Sequence, residues 1–278
     1  MNIVVIGNKG RWAKGHIKTL KNLGVYGGGV DLEGDWRAYI EQQEPDGIVI
    51  ATNAVNHFEM VMYCLFNSLP VYCEKPIATE EWQLDKYREY LEDDGVHPPI
   101  FQAGFQLLYD PTIETYKEQL SEIPRNHRQD IDTFISRRLG GNYRNESSVQ
   151  TLMIHDIAIA HYLFGSDYTV GETWGERAET NTNLMFNDYN DRVILHSRYA
   201  RPSFRQMDFL GKERWEVLEF DNHARPDLLT LAHKSFTDQI QIRNEITNNP
   251  DITFRNGLEF AIGVQQNVFD IEKKAGIR

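Results

Sequence analysis

The stretch "VYCEKPIAT", residues 71–79, sets a lysine at an unusual place. Val71, Tyr72 and Cys73 read as a short buried strand, and Pro76 ends it and biases Lys75 towards an extended backbone. Open α/β sheets bind their ligands at the C-terminal ends of their strands. A lysine fixed there can hydrogen-bond an alcohol oxygen and steady the negative charge that develops on it; a solvated turn lysine is the alternative reading. A second cluster stands at the start of the chain. In "IGNKGRWAKGH", residues 6–16, Gly7, Gly10 and Ala13 lie between an apolar run and a helical pattern. Glycines in that position let the backbone approach a pyrophosphate at a helix N-terminus. The spacing G-x-x-G-x-x-A is one residue longer than the usual dinucleotide pattern. Lys9, Arg11 and Lys14 add positive charge beside it. Asp31, at the end of the predicted second strand and close to Glu33, stands where a carboxylate would take the adenosine ribose. A carboxylate there favours NAD over NADP by repelling a 2′-phosphate; the basic loop pulls the other way.

These residues need a scaffold, and the apolar periodicity supplies one. "NIVVI" (2–6), "VYGGGVD" (25–31), "DGIVIAT" (46–52), "PVYCEKP" (70–76) and "PPIFQAGF" (98–105) read as strands. Helical patterns alternate with them, one capped by Asp35 and one by Thr79. Strand and helix alternating up to about residue 104 predict a parallel sheet covered by helices. The second half changes character. "IDTFISRRL", "YTVGETWGER", "NTNLMFN", "DRVILHSRYA", "RQMDFLG" and "RWEVLEF" predict consecutive strands, with a helix at about 149–164 inserted early and two helices, roughly 229–247 and 255–274, at the end. The expectation is an N-terminal α/β domain, 1–104, followed by a mostly antiparallel α+β domain, 105–278.

The composition narrows the function class. The chain has 278 residues, of which 41% are hydrophobic and 25% charged, which suits a globular protein with its own core. A net charge of −12 argues against nucleic acid or an anionic membrane as partner. Cys64 and Cys73 read as buried thiols in a reducing compartment. No cluster of Cys, His and carboxylates has metal-ligand spacing. "MNIVVIGNKG" does not read as a secretory leader, and no apolar run is long enough to span a membrane, so a soluble, cytoplasmic protein is expected.

The run "GIVIATNAVNHFEMVMYCLFNSLPVYCEKPIA" resembles the glucose-fructose oxidoreductase / inositol dehydrogenase / MocA (Gfo/Idh/MocA) family. The resemblance rests on Ala51-Thr52 at a strand end, His57 opening a helix, and Glu74-Lys75-Pro76 closing the next strand, in that order. It implies a Rossmann domain followed by an open-faced sheet domain, an NAD or NADP cofactor, and a sugar, polyol or sugar-nucleotide substrate. By this resemblance Gly7, Lys9, Gly10, Arg11, Trp12 and Ala13 cradle the cofactor with Asp31. Thr52, Asn53, His57 and Glu74 border it, and Lys75 faces both nicotinamide and substrate hydroxyl. "TLMIHDIAIAHYLFG" (151–165) resembles the family's active-site helix and puts His155 at the acid/base position; Tyr109 and Asn142 border the substrate. The open face of the second sheet implies a homodimer or homotetramer.

Three features depart from the family pattern. Thr151 stands four residues before His155, where many family dehydrogenases have Asp, and a threonine carries no charge for a proton relay. Asp156 points about 100° round a helix from His155 and is no equivalent partner. Leu108 stands where an arginine usually precedes the aromatic, and a helix and strand normally found after the second strand are missing. Two other readings therefore stand beside an alcohol dehydrogenase. One is a reductase of a non-sugar acceptor such as a tetrapyrrole, as in biliverdin reductases, with Arg137, Arg138 and Arg144 available for carboxylates. The other is a non-catalytic nucleotide-binding regulator.

Overall fold

A computed structural model of the chain describes residues 1–93, 98–122, 131–139, 146–186, 192–200, 204–211, 215–219, 227–245 and 256–278. The chain forms two compact units, one of Met1–Tyr109 with Asp227–Ile262 and one of Asp110–Pro226 with Gly263–Arg278.

The first unit is built on a five-stranded parallel sheet in the order β2-β1-β3-β4-β5. Its strands are β1 (Ile3–Ile6), β2 (Tyr26–Val30), β3 (Gly47–Ile50), β4 (Val71–Cys73) and β5 (Phe101–Ala103). Every residue of β1 is fully buried. This is why the run is continuously apolar rather than alternating: both faces of the sheet are covered. The connecting helices are α1 (Arg11–Asn22), α2 (Trp36–Gln43), α3 (His57–Phe66) and α4 (Glu81–Leu91). Asp35 caps α2 as expected, its Oδ1 accepting from the Ala38 N–H at 3.1 Å. The cap of α4 is not Thr79 but Glu80. The side chain of Gln83 folds back and accepts from the N–H groups of both Thr79 and Glu80, at 2.7 and 3.1 Å. Gln83 thus does the job from inside the helix. Among the described residues β2 is an edge, in line with the short segment after it.

The helix α7 (Leu228–Glu245) completes this unit's core. Ala232, Phe236 and Ile240, spaced i, i+4, i+8, pack with Ile3, Val5, Val49 and Tyr72, which share one face of the sheet by the strand period of two. Gly47 admits the helix. A Cβ there would stand 2.9 Å from Ile240 Cδ1 and 3.0 Å from Ile3 Cδ1.

The second unit holds a six-stranded sheet in the order β11-β10-β6-β9-β8-β7. Its strands are β6 (Ile131–Leu139), β7 (Tyr168–Glu176), β8 (Glu179–Phe186), β9 (Arg192–Arg198), β10 (Phe204–Gly211) and β11 (Trp215–Glu219). All neighbours run antiparallel except β6 and β9. One face is buried. Phe134, Val193 and Leu184 lie in one row across it, and Met207, Ser136, Leu195 and Thr182 in the next. The helix α6 (Ile154–Phe164) covers that face, with Phe164 against Phe134. The opposite face carries Trp174 and Met185, each about half exposed. The predicted helix at 149–164 is not uniform: Val149–Met153 form a wide π-helical turn before α6. A helix that the periodicity left unassigned, α5, spans Pro111–Glu122. Asp110 starts it, accepting from the Thr112 N–H at 3.0 Å, and Pro111 occupies the first helical position, where its missing N–H costs nothing. The last helix, α8, spans Leu258–Lys274.

Candidate functional site: strand ends and the glycine loop

Three loops follow the C-terminal ends of the adjacent strands β1, β3 and β4. Ile6 is level with Ile50, and Ile50 with Cys73, so residues 7–10, 51–53 and 74–75 leave the sheet side by side. Gly7 adopts φ +85°, a left-handed conformation that glycine takes without strain. A Cβ there would sit 2.8 Å from both the Ala51 carbonyl oxygen and Thr52 Cγ2, so the glycine is needed for the close approach as well. The Gly10 N–H donates to the Gly7 carbonyl at 2.9 Å and closes the loop onto α1. The first turn of α1 has no acidic residue, which leaves the positive helix end uncompensated. Arg11, Trp12 and Lys14 are exposed around it, and Ala13 is buried. Lys9 turns towards the loop after β2, its Nζ 2.5 Å from Glu33 Oε2. That contact, then the charge of Asp31, raises the Lys9 ammonium above its ordinary pKa. Asp31 Oδ1 accepts from the Leu32 N–H at 2.8 Å.

His57 clamps the second and third loops together. It is 1% exposed, with Nδ1 2.7 Å from the Pro76 carbonyl oxygen and Nε2 3.1 Å from that of Thr52. Burial holds its pKa below the ordinary value, against the opposing pull of the two carbonyls. A neutral ring has a single N–H, and the shorter contact places it on Nδ1. Asn53 is exposed and starts a short 3₁₀ turn. Lys75 is half-buried and its bond to Pro76 is cis. Glu74 is turned inward. Its N–H donates to the Ile50 carbonyl at 3.0 Å, and its Oε1 is 3.1 Å from His16 Nε2. Gly104 makes room for it, since a Cβ there would stand 3.0 Å from Glu74 Cα and Oε1. Tyr109 is buried, with its hydroxyl 3.2 Å from Asn256 Oδ1 and 3.4 Å from Ser235 Oγ.

In the second unit, His155 lies in the first turn of α6, directly after the π turn, and is half-buried. Thr151 Oγ1 donates to the Ser147 carbonyl at 3.0 Å and also contacts the Tyr199 hydroxyl. Asp156 is 1% exposed and engaged by both arms of the Arg138 guanidinium, at 2.8 and 2.7 Å. That pair removes Asp156 as a relay for His155 and occupies Arg138. His161 is buried, and desolvation lowers its pKa to about 4. Asn142 and Arg144 lie outside the described residues.

The first unit thus brings together Gly7, Gly10, Thr52, His57, Glu74 and Lys75, with Asp31 at the end of the neighbouring β2. Sequence reasoning missed His16 and His233, whose rings meet behind Glu74, His16 Nδ1 lying 2.7 Å from His233 Nε2. His16 falls in register with the buried Ala13 and Leu20 on α1 and reads as a core position; His233 is remote in sequence, and no local spacing signals it. No group of three or more His, Cys, Asp and Glu among the described residues could hold a metal, and no helix there is long and apolar enough to cross a membrane.

Residues 28–97 match the model of a family described as "Oxidoreductase family, NAD-binding Rossmann fold". The inositol 2-dehydrogenase of Paracoccus denitrificans is 28% identical over 134 residues, which is 48% of this chain and 39% of that protein. Inositol 2-dehydrogenase 2 of Saccharopolyspora erythraea is 26% identical over 210 residues, 75% of this chain and 54% of that protein. The chain therefore spans only 39% and 54% of the lengths of these relatives. Among solved structures, UDP-N-acetylglucosamine 3-dehydrogenase GnnA from Acidithiobacillus ferrooxidans superposes with a TM-score of 0.78 at 15% identity, covering 99% of this chain and 97% of that one. The scyllo-inositol dehydrogenase of Lactobacillus casei, with bound NAD(H) and scyllo-inositol, superposes with a TM-score of 0.72 at 16% identity, covering 99% and 97%. At such identities the superpositions establish the shared fold. The Ala-Thr, His and Glu-Lys-Pro residues, on adjacent strand ends of the parallel sheet, all fall within the stretch that matches this oxidoreductase family model.

Proposed function

We propose that the chain is an NAD(P)-dependent oxidoreductase that moves a hydride between nicotinamide and a carbinol carbon of a sugar, polyol or sugar nucleotide. The observation that carries this reading is the set of three neighbouring strand ends, with a glycine cradle on β1 and Lys75 on β4. The cradle fits a dinucleotide. Gly7 lets the loop close against residues 51–52, and α1 offers an N-terminus with no carboxylate in its first turn. The nicotinamide, when bound, takes or gives the hydride. Lys75 donates a hydrogen bond to the substrate oxygen and holds the negative charge that grows on it as the proton leaves. His155 accepts that proton, without a relay acid at position 151. Asp31 binds the adenosine ribose and favours NAD over NADP; Tyr109 borders the substrate. The division of labour is a nucleotide unit, Met1–Tyr109 with Asp227–Ile262, and a substrate unit, Asp110–Pro226 with Gly263–Arg278, in place of a single boundary at 104. The bidentate Asp156–Arg138 pair takes up one of the three arginines offered for the carboxylates of the tetrapyrrole alternative.

Titration of the purified protein with NADH and with NADPH, read by nicotinamide fluorescence, tests the reading. Saturable binding, tighter for NADH, is expected. Turnover on a panel of inositols, hexoses and UDP-sugars should then fall by about 10²-fold or more in Lys75→Met, with NADH binding kept. Absence of binding by either nucleotide up to millimolar levels overturns it. The half-exposed Trp174 and Met185 on the open sheet face support self-association as a homodimer or homotetramer. A monodisperse monomer by light scattering at micromolar concentration would refute that assembly.

A further inference from the structure

Glu74 is the inner end of a buried chain that crosses three elements. Its Oε1 meets His16 Nε2 at 3.1 Å, and His16 Nδ1 meets His233 Nε2 at 2.7 Å. His16 comes from α1, directly behind the glycine loop, and His233 from α7. Both rings are buried, at 1% and 0% exposure. Tyr72 packs against both, edge-on to His16 at 5.5 Å and tilted against His233 at 4.8 Å between centroids. The titratable groups around the chain include Glu74, Tyr72, Tyr109 and Cys73, with His57 near Glu74.

Donor and acceptor arithmetic constrains the direction of the chain. A carboxylate only accepts, so His16 must present Nε2–H to Glu74. A neutral His16 then has a lone pair on Nδ1, which must receive a proton from His233 Nε2–H. The remaining atom, His233 Nδ1, is left as a buried lone pair, and it has no hydrogen-bond partner among the described residues. The opposite direction needs either a lone pair aimed at the carboxylate or a cationic His16 with an orphaned His233 Nδ1–H. Desolvation and then the neighbouring His16 hold His233 well below the ordinary imidazole pKa, which favours a neutral His233.

We infer that His16 and His233 are positioning residues, a one-way donor chain running His233 Nε2–H to His16 and His16 Nε2–H to Glu74, that anchors the turn carrying Lys75 to the helix behind the glycine loop. The service to Lys75 and cofactor rests on the oxidoreductase reading; the direction of the chain does not. The chain explains why a charged residue points into the core immediately before the lysine: its carboxylate is the anchor, and it holds the backbone from which the Lys75 side chain starts.

The test uses ¹⁵N-histidine-labelled full-length protein and long-range proton–nitrogen spectra at pH 7. Wild type is expected to show His16 and His233 neutral and protonated on Nε2, with a nitrogen–nitrogen coupling across the His16 Nδ1–His233 Nε2 bond. A His16 protonated on Nδ1, or doubly protonated, overturns the inference. His233→Leu should bind NADH about tenfold more weakly, as expected for a lost buried hydrogen bond in a charge-assisted chain, and His233→Gln, whose amide can replace the Nε2–H donor, should restore it. A folded His233→Leu with wild-type affinity overturns the inference as well. If His233→Leu does not fold, the wild-type tautomers and His233→Gln decide the matter. Failure of wild type to bind either nucleotide would defeat the oxidoreductase reading alone, because the tautomers are read without ligand.

Discussion

Single residues divide into those whose role is written in a local pattern and those whose role is made by the fold. Lys75 and the Gly7–Gly10 loop belong to the first group, because a strand end followed by Pro, and a glycine pair between strand and helix, are local signals. Asp156 belongs to the second. The helix pattern only excluded it as a partner for His155, and its engagement by Arg138 depends on which face of β6 meets α6. His161 shows what burial alone does to an imidazole. Its folded-state pKa is lowered to about 4, so the unfolded chain binds a proton there more readily than the folded one. The sign follows directly: this contribution to stability is intact above the unfolded value of about 6.5 and is lost as pH falls towards 4. Between pH 7 and pH 5 the loss amounts to about 2 kcal/mol. Urea unfolding of wild type and His161→Gln at both pH values checks this; the variant should lose less stability on acidification. An equal loss in both proteins would remove His161 as a cause.

At the scale of elements, strands were the most legible part of the sequence. Alternation along β6 to β10 marks one face for α6, and the unbroken apolar runs of β1 and β3 mark strands covered on both sides. Helices were less legible where the decisive residues lie outside the apolar stripe. The start of α5 is signalled only by Asp110-Pro111, and the end of α4's preceding loop is capped from within the helix by Gln83. The π turn at 149–153 left no mark in the pattern at all, since a wide turn shifts phase without changing residue types. Glycine gives a direct test of element packing, because two glycines of the first unit predict opposite signs. In Gly47→Ala the new methyl meets Ile240 Cδ1 at 2.9 Å and Ile3 Cδ1 at 3.0 Å, deep in the core, and overpacking should cost about 1–3 kcal/mol. In Gly15→Ala, within α1, the methyl meets only Leu229 Cδ2 at 3.4 Å, an ordinary contact, and the gain in helix propensity should stabilise by about 0.5–1 kcal/mol. Urea midpoints of the two variants that move in the same direction would contradict this account.

For the whole molecule, the order of strands and helices along the chain points to the two architectures, but not to which stretches share a core. The helical pattern near residues 229–247 was visible, yet nothing in it names the sheet that α7 covers. The match is carried by size: Gly47 opposite Ile240, and Ala232, Phe236 and Ile240 spaced to lie over Ile3, Val49 and Tyr72. The first unit is consequently discontinuous, Met1–Tyr109 needing Asp227–Ile262 for its core. A fragment of residues 1–109 would keep all five strands of the parallel sheet and helices α1–α4, but would expose the part of the sheet that α7 covers beside α1. Phe236 and Ile240 alone are worth about 1.5–3 kcal/mol each when fully buried, comparable together with the total stability of many domains of that size. The fragment is therefore expected to retain helical circular dichroism while binding a hydrophobic dye and melting without a cooperative transition. Adding a peptide of residues 227–262 should suppress dye binding and restore a cooperative melt, and Phe236→Ala in that peptide should weaken the rescue. A fragment 1–109 that melts cooperatively and ignores the peptide would mean that the parallel sheet closes its core without α7.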